Sequence, residues 1–215
     1  GARRTGSAAL RRHRPRQLLS RTDPARALLD AVVAFYGNDA GGSTMLADVR
    51  AALAAATPLA SPPRTITASA LLEDALPPTA LGAAIARAAH LFRWRQNPNY
   101  SAANMGAAFM AGYGYVEFAG PKEALFRAPD IRVGLLLFAP SVHCPAHGHR
   151  SVEIYHPLTD AGLWRCGQEN WRTVPAGNAI HHPPMIVHET KAADSTLLAL
   201  YCWRGNTVTE AQLTN

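Results

Sequence analysis

The chain has 215 residues, of which 48% are hydrophobic and 17% charged, and its formal net charge is +6. That length is enough for one domain, or one and a half, with a sizeable core. No run of about 18 apolar residues is present, so no membrane-spanning helix is expected. The three cysteines form no closely spaced pair. A disulfide scaffold is therefore not expected, and a reducing, cytoplasmic compartment is.

The positive charge is concentrated in residues 1–22, which hold seven arginines and no acid. Without those seven charges the remainder of the chain carries about −1, so the basicity belongs to a tail and not to the folded part. We predict a disordered, solvated tail and no nucleic-acid partner. A nucleic-acid-binding arm is the alternative. A signal peptide is not expected, because no apolar segment follows the arginines.

Residues 23–111 have a helical pattern and are predicted to form a helical N-terminal region. Asp23 is a candidate N-cap with Pro24 in the first turn, and Gly37 is a candidate stop. Apolar residues recur at helical spacing in three segments, and a shorter fourth one starts at a candidate Ser101 cap. The predicted helices cover residues 23–37, 43–57, 79–92 and 101–112.

Residues 112–208 change to short β-branched or aromatic segments separated by Gly, Pro and Asn. Such segments, without helix-length patterns between them, are typical of an antiparallel barrel or sandwich. The predicted strands lie within residues 113–118, 131–138, 151–158, 162–167, 171–174 and 195–203, and we predict a further strand at 185–189.

Seven of the nine histidines fall between positions 143 and 188. His147, His149 and Glu153 have H-x-H-x-x-x-E spacing. Because alternate residues of a strand share a face, two imidazoles and a carboxylate could bind one side of a divalent ion. A later histidine would complete the site. We favour His188, since the prolines that flank the alternatives, His181 and His182, are typical of a turn.

The H-x-H-x-x-x-E spacing, followed by P-x-G and a late histidine, resembles the two motifs of the cupin superfamily. "CPAHGHRSVEIYHPLTDAGLW" and "HHPPMIVHET", with "FRWRQNPNYS" and "GYGYVEFAGP" upstream, resemble more narrowly the cupin-type dimethylsulfoniopropionate (DMSP) lyases, most like the DddL branch. The resemblance implies a mainly β cupin fold, a small antiparallel β-barrel or jelly roll, with an α-helical N-terminal region. It also implies one divalent transition metal ion (Zn, Mn, Fe, Co or Ni) and admits a homodimer.

The resemblance further implies β-elimination of DMSP to acrylate and dimethyl sulfide. Tyr155 lies two residues from Glu153 and is the expected base, since a nearby dication would favour its phenolate. A sulfonium is a soft cation that binds aromatic faces. The aromatic candidates for this contact are Tyr113, Tyr115, Trp164, Trp171, Tyr201 and Trp203, of which we favour Tyr113, Tyr115 and Trp203. We expect Tyr201 and Trp203 to point to opposite faces of one strand, so that at most one of them faces the cavity.

Two other classes of function fit the cupin motifs. One is another cupin enzyme, a dioxygenase or an isomerase. The other is a non-catalytic cupin that senses a metal or a ligand. Against the second, residues 24–111 carry no helix-turn-helix signature, and a binding module does not need the Glu153-x-Tyr155 pair.

Overall fold

The computed structural model describes residues 23–39 and 44–214, so the predicted tail at 1–22 lies outside the described residues. Helices occupy the first part of the described chain, and none of them is long and apolar enough to cross a membrane. The α-helices are α1 (Pro24–Gly37), α2 (Thr44–Ala55), α3 (Ala80–Ala88), α4 (Ala102–Met105) and α5 (Ala107–Gly112), with 3-10 turns at Thr67–Leu71, Glu73–Ala75 and Ala89–Leu91.

The helix boundaries follow from capping residues. The Asp23 carboxylate accepts a hydrogen bond from the backbone N–H of Ala25 at 3.1 Å, so α1 begins where the sequence predicts. The predicted fourth helix is interrupted at Gly106, whose φ of +87° is outside the helical region. A single helix over 101–112 is therefore wrong, and α4 and α5 take its place.

The β region consists of two sheets whose strands are antiparallel apart from one parallel pair, close to what the sequence predicts for a cupin. Among the described residues the two sheets remain separate and do not close into one hydrogen-bonded barrel. The strands are β1 (Thr57–Pro58), β2 (Tyr113–Gly120), β3 (Phe126–Arg127), β4 (Ile131–Phe138), β5 (His143–Gly148), β6 (Val152–Pro157), β7 (Gly162–Cys166), β8 (Arg172–Thr173), β9 (Ile180–His182), β10 (His188–Ala192), β11 (Leu197–Arg204) and β12 (Gln212–Leu213). The larger sheet has the order β1-β3-β2-β4-β11-β6-β9, and the smaller has β12-β5-β10-β7-β8.

The larger sheet is buried on both faces, and strand β11 illustrates how. Leu198, Leu200 and Cys202 belong to the core that includes helices α1 to α3. Tyr201 and Trp203 belong to the second core, between the two sheets. The expectation that Tyr201 and Trp203 point to opposite faces is therefore wrong, because residues two apart on a strand share a face.

Strand register brings the site residues into rows across the larger sheet. Trp203 of β11 pairs with Glu153 of β6 on one side and with Arg132 of β4 on the other. In the next row, Tyr201 pairs with Tyr155 and with a glycine of β4. Residues distant in sequence thus meet on the face that looks into the space between the sheets.

The glycine in the second row, Gly134, is required by the backbone of the neighbouring strand. A Cβ at this position would lie 1.8 Å from the carbonyl oxygen of Val116, which is main chain and cannot move aside. We expect Gly134→Ala to lower the free energy of unfolding by about 3 kcal/mol, measured by urea denaturation. Gly114→Ala is the control, since its nearest contact is the end of the Ile66 side chain. Equal losses in the two variants would contradict the prediction.

Candidate metal centre and substrate cavity

Glu153 lies at the centre of a buried polar cluster between the sheets. Its Oε2 atom is 3.0 Å from Nε2 of His149, 3.2 Å from Nδ1 of His182 and 3.3 Å from Nε2 of His188. Nε1–H of Trp203 donates to its Oε1 at 2.5 Å. Burial alone would raise the pKa of Glu153, but the neighbouring imidazoles, His149 first, hold the pKa well below its usual value.

Three histidines share an arrangement that is typical of metal ligands. In each of His147, His149 and His188, Nδ1 faces a backbone carbonyl two residues away in the chain. The distances are 2.8 Å to Pro145, 3.0 Å to Ser151 and 3.1 Å to Ile186. A proton on Nδ1 would donate to that carbonyl and leave the lone pair on Nε2. Nε2 of His188 is buried, and although it lies 3.3 Å from the Glu153 carboxylate it makes no hydrogen bond.

The structure brings three of the four predicted ligands close together. His149, Glu153 and His188 each offer a ligand atom within 4.8 Å of the others. His147 is at the edge of this group, with its ring 4.2 Å from that of His188. Burial, and then the neighbouring His188, lower the pKa of His147 to about 3, so the ring is neutral, which is the form that binds metal.

The local predictions around the late histidines need correction. His182 lies on strand β9, directly opposite Glu153 on β6, and not in a turn. Its ring stacks on His188 at 4.0 Å, while His181 is exposed. Strand β10 begins at His188, whereas the preceding Met185, with φ +64°, is in a turn. His149 lies just beyond the end of β5, so it shares no extended strand with His147.

His182 differs in its hydrogen bonding from the three other histidines that lie around Glu153. Its Nδ1 faces the Glu153 carboxylate, whereas theirs face backbone carbonyls. A histidine that donates to a ligating carboxylate fixes the orientation of that carboxylate. The geometry therefore favours His182 as a residue that positions Glu153.

Tyr155 is buried beside this cluster. Its ring centroid lies 5.1 Å from that of Trp164, 5.8 Å from His182 and 6.4 Å from Tyr201. Burial raises the pKa of the Tyr155 phenol well above its usual value, and the negative charge of Glu153 raises it further. The phenol is thus protonated in the surroundings that the protein alone provides.

The cavity next to Tyr155 has aromatic walls, and we call it the inner cavity. The predicted contacts Tyr113, Tyr115 and Trp203 all line it. Tyr201, which the sequence offered only as an alternative to Trp203, lines the inner cavity as well, and sequence reasoning missed Tyr100, Arg132 and Glu210. Tyr100 and Glu210 lie in loops without a periodic pattern, whereas the alternation along β11 places Tyr201 on the same face as Trp203.

Two of the predicted aromatic contacts already face a guanidinium. Cζ of Arg132 is 5.3 Å from the Trp203 ring, and Cζ of Arg95 is 5.3 Å from the Tyr115 ring. His149 also stacks on Trp203, at 4.2 Å. Trp203 therefore contacts Glu153 and His149 directly, which leaves less of its ring face open to a ligand.

A group of five charged side chains lies at the Arg132 end of the inner cavity; we call it the charged cluster. Its members are Arg95, Glu117, Glu123, Arg132 and Glu210. Glu117 is the most buried carboxylate of the charged cluster. Its oxygens make no hydrogen bond, and Oε1 lies 3.5 Å from both Arg95 and Arg132. Burial raises the pKa of Glu117 to about 7, although Arg132 and Arg95 act in the opposite direction.

Glu117 should make the stability of the protein depend on pH. Its folded-state pKa of about 7 exceeds the ordinary value of 4.5. Its contribution to stability is therefore present below pH 4.5 and is lost as the pH rises past about 7, a loss of about 3 kcal/mol. We expect Glu117→Gln to remove most of this fall. The drop in melting temperature between about pH 5 and about pH 8 should then be smaller in the variant than in the wild-type protein, by roughly 6 to 12 °C. Glu123→Gln, at an exposed position, is the control. An unchanged difference in Glu117→Gln would refute the prediction.

Comparison with known proteins identifies the family. The family model of dimethylsulfoniopropionate lyases matches residues 21–199. The chain belongs to the DMSP lyase family. The protein provisionally named DMSP lyase DddL from Cereibacter sphaeroides is 32% identical over 125 residues, which are 57% of this chain and 50% of that protein. The chain thus spans about half the length of this relative.

Other DMSP lyases match over more of their length. DMSP lyase DddQ from Ruegeria pomeroyi is 28% identical over 156 residues, 71% of this chain and 70% of that protein. The crystal structure of DddQ from that organism superimposes with a TM-score of 0.78 at 27% identity, covering 90% of this chain and 98% of the other. A structure titled for the DMSP lyases RdDddP and RnDddQII gives 0.74 at 19% identity, and supports the fold alone.

Proposed function

We propose that this protein cleaves DMSP to acrylate and dimethyl sulfide by β-elimination in the inner cavity. The observation that carries the proposal is the position of Tyr155, beside a buried carboxylate and its histidines, in a cavity with aromatic walls. Membership of the DMSP lyase family supplies the substrate class.

We propose that His147, His149, Glu153 and His188 hold one divalent transition metal ion, with Zn, Mn, Fe, Co and Ni all compatible with three imidazoles and a carboxylate. Ligands about 2.1 Å from one ion lie about 3.0 to 3.4 Å apart. The separations of 3.0 and 3.3 Å from Glu153 to His149 and His188 fit this range. The buried Nε2 of His188, which makes no hydrogen bond, fits as well.

The elimination requires removal of a weakly acidic proton from Cα and departure of the sulfonium group from Cβ. When bound, the metal ion would accept the substrate carboxylate, withdraw charge from Cα and favour the phenolate form of Tyr155. Tyr155 then takes the Cα proton on its phenolic oxygen. The Cα–H electrons form the double bond of acrylate, and the C–S electrons leave with dimethyl sulfide.

The aromatic walls would bind the sulfonium and exclude water. Tyr113, Tyr115 and Trp203 stay our proposed contacts, and the cavity adds Tyr201 to them. Arg132 and Arg95 already face Trp203 and Tyr115, so an onium at either ring would lie next to a guanidinium.

Headspace detection of dimethyl sulfide tests the proposal. Purified protein of measured metal content is incubated with DMSP under argon, and acrylate is quantified in parallel. We expect equal amounts of both products without oxygen. Turnover that requires oxygen and ferrous iron would favour a cupin dioxygenase, and binding without turnover would favour a sensing cupin. The expected homodimer and cytoplasmic location remain predictions, the first of them accessible to light scattering.

A further inference from the structure

Glu210 lies where two cavities meet. It lines the inner cavity with Tyr115, Tyr201 and Trp203. It also lines a second, outer cavity together with His149, Arg150, Met185, Thr209 and Gln212. The segment after β11, residues 205–214, thus separates the outer cavity from the inner one, with Glu210 facing both.

This segment is fixed in place by specific polar contacts. Arg132 donates from Nε to the carbonyl of Thr207 at 2.7 Å, and from Nη1 and Nη2 to the Glu210 carboxylate at 2.8 and 3.0 Å. The side-chain amides of Asn97 and Asn99 both donate to the carbonyl of Ala211 at 3.0 Å. The position of the Glu210 carboxylate is therefore well defined.

The arginine that binds Glu210 also lies near a second carboxylate. Arg132 is shared with Glu117, whose Oε1 lies 3.5 Å from Nη1. Arg95 is shared among Glu117 at 3.5 Å, Glu123 at 3.5 Å and Glu210 at 3.9 Å. Arg93, which lies 3.1 Å from Glu123, brings the count to three guanidiniums for three carboxylates, so the charges balance when all are ionised. Loss of the Glu210 charge would leave an excess of positive charge beside the inner cavity, which disfavours a cation there.

Distances across the sheet fit a ligand with a charge at each end. Glu153 and Arg132 lie on either side of Trp203 in one cross-strand row, two strand spacings or about 10 Å apart. In a carboxylate with an onium group on Cβ, bonds of about 1.5 Å separate the charges by about 5 Å. If the carboxylate of such a ligand is held near Glu153, its onium group would therefore lie about halfway between Glu153 and the pair formed by Arg132 and Glu210.

We propose that Glu210 determines specificity for the positively charged end of the substrate, selecting small carboxylates with a sulfonium or quaternary ammonium group over neutral ones of the same shape. The inference rests on the proposed function for the carboxylate end. Aromatic faces next to arginines would repel an onium unless a carboxylate offsets the guanidiniums, and Glu210 is the half-buried carboxylate that faces the cavity.

A matched pair of ligands tests the proposal without turnover. 3-(Trimethylammonio)propanoate and 4,4-dimethylpentanoate have the same shape and differ in one positive charge. Their dissociation constants are measured by calorimetry on the metal-loaded wild-type protein, Glu210→Gln and the control Glu123→Gln. We expect the wild-type protein to prefer the cation, and Glu210→Gln to reduce this preference about tenfold while binding of the neutral ligand stays within about twofold. Glu123, exposed and outside the inner cavity, should leave the preference intact.

An unchanged preference in Glu210→Gln, or an equal loss for both ligands, would overturn the proposal. If that variant does not fold, a crystal structure of the wild-type protein with 3-(trimethylammonio)propanoate decides. A quaternary nitrogen within about 6 Å of the Glu210 carboxylate supports the proposal, and one directed elsewhere rejects it. A protein that prefers the cation but releases no dimethyl sulfide would keep this inference and lose the proposed lyase activity, so the two can fail separately.

Discussion

Tyr155→Phe is expected to lower kcat for DMSP cleavage about a thousandfold while the protein keeps its metal. The substitution removes one hydroxyl group and leaves the ring packed against Trp164. Without a phenolic oxygen next to Glu153, no group of the proposed mechanism accepts the Cα proton. Dimethyl sulfide release by gas chromatography and metal content by mass spectrometry measure the two effects on one sample.

Two further tyrosines make the Tyr155 experiment specific. Tyr36→Phe removes a buried phenol on helix α1, away from the inner cavity, and should retain the wild-type rate. Tyr201 lies in the same cross-strand row as Tyr155, with ring centroids 6.4 Å apart. A large loss in Tyr201→Phe together with activity in Tyr155→Phe would transfer the role of base to Tyr201.

Removal of the Glu153 charge is expected to abolish both metal binding and turnover. Glu153→Gln keeps the shape but replaces the carboxylate that His149, His182 and His188 surround. We expect metal affinity to fall by at least about a hundredfold, and a chelator to inactivate the wild-type protein until a divalent ion is restored. Metal content after dialysis and rate after readdition are the measurements. Full turnover in a chelator-stripped, metal-free sample would reject the metal site.

A pair of histidine variants separates ligands from positioning residues. His147→Gln should lose metal affinity about a hundredfold, because the Nδ1 of His147 faces a backbone carbonyl and its Nε2 would bind the metal. His182→Gln should lose only about tenfold, since an amide can still donate to Glu153. If His182→Gln instead loses more metal affinity than His147→Gln, His182 is the fourth ligand.

Local signals in the sequence were sufficient for most elements of the fold. The Asp23 cap and the apolar periodicity predict α1, and short β-branched or aromatic segments between turn residues predict the central strands β4, β6 and β11. The break at Gly106 was missed because a glycine in a helical pattern has no distinctive neighbours. Which sheet a strand joins also depends on pairings distant in sequence, which periodicity does not encode.

Some residues of the candidate site could be found from a short motif, and others could not. His147, His149 and Glu153 were found because they form a short motif, and Tyr155 because it extends that motif. Opposing strands bring His182 to Glu153, and a loop contact brings Glu210 to Arg132, across 29 and 78 residues of sequence respectively. No short window of sequence contains either pair, so only the folded chain reveals them.

Burial of the larger sheet on both faces has a consequence for shortened versions of the chain. A cut just before Tyr113 would keep every strand except β1, and the proposed metal ligands with them. It would also uncover the face of the sheet that the N-terminal helices protect, including Val116, Phe118, Leu198 and Leu200. An excised β region with so much apolar strand surface in water is expected to self-associate and precipitate. We therefore expect the N-terminal helices to keep the β region, with the candidate site, in solution.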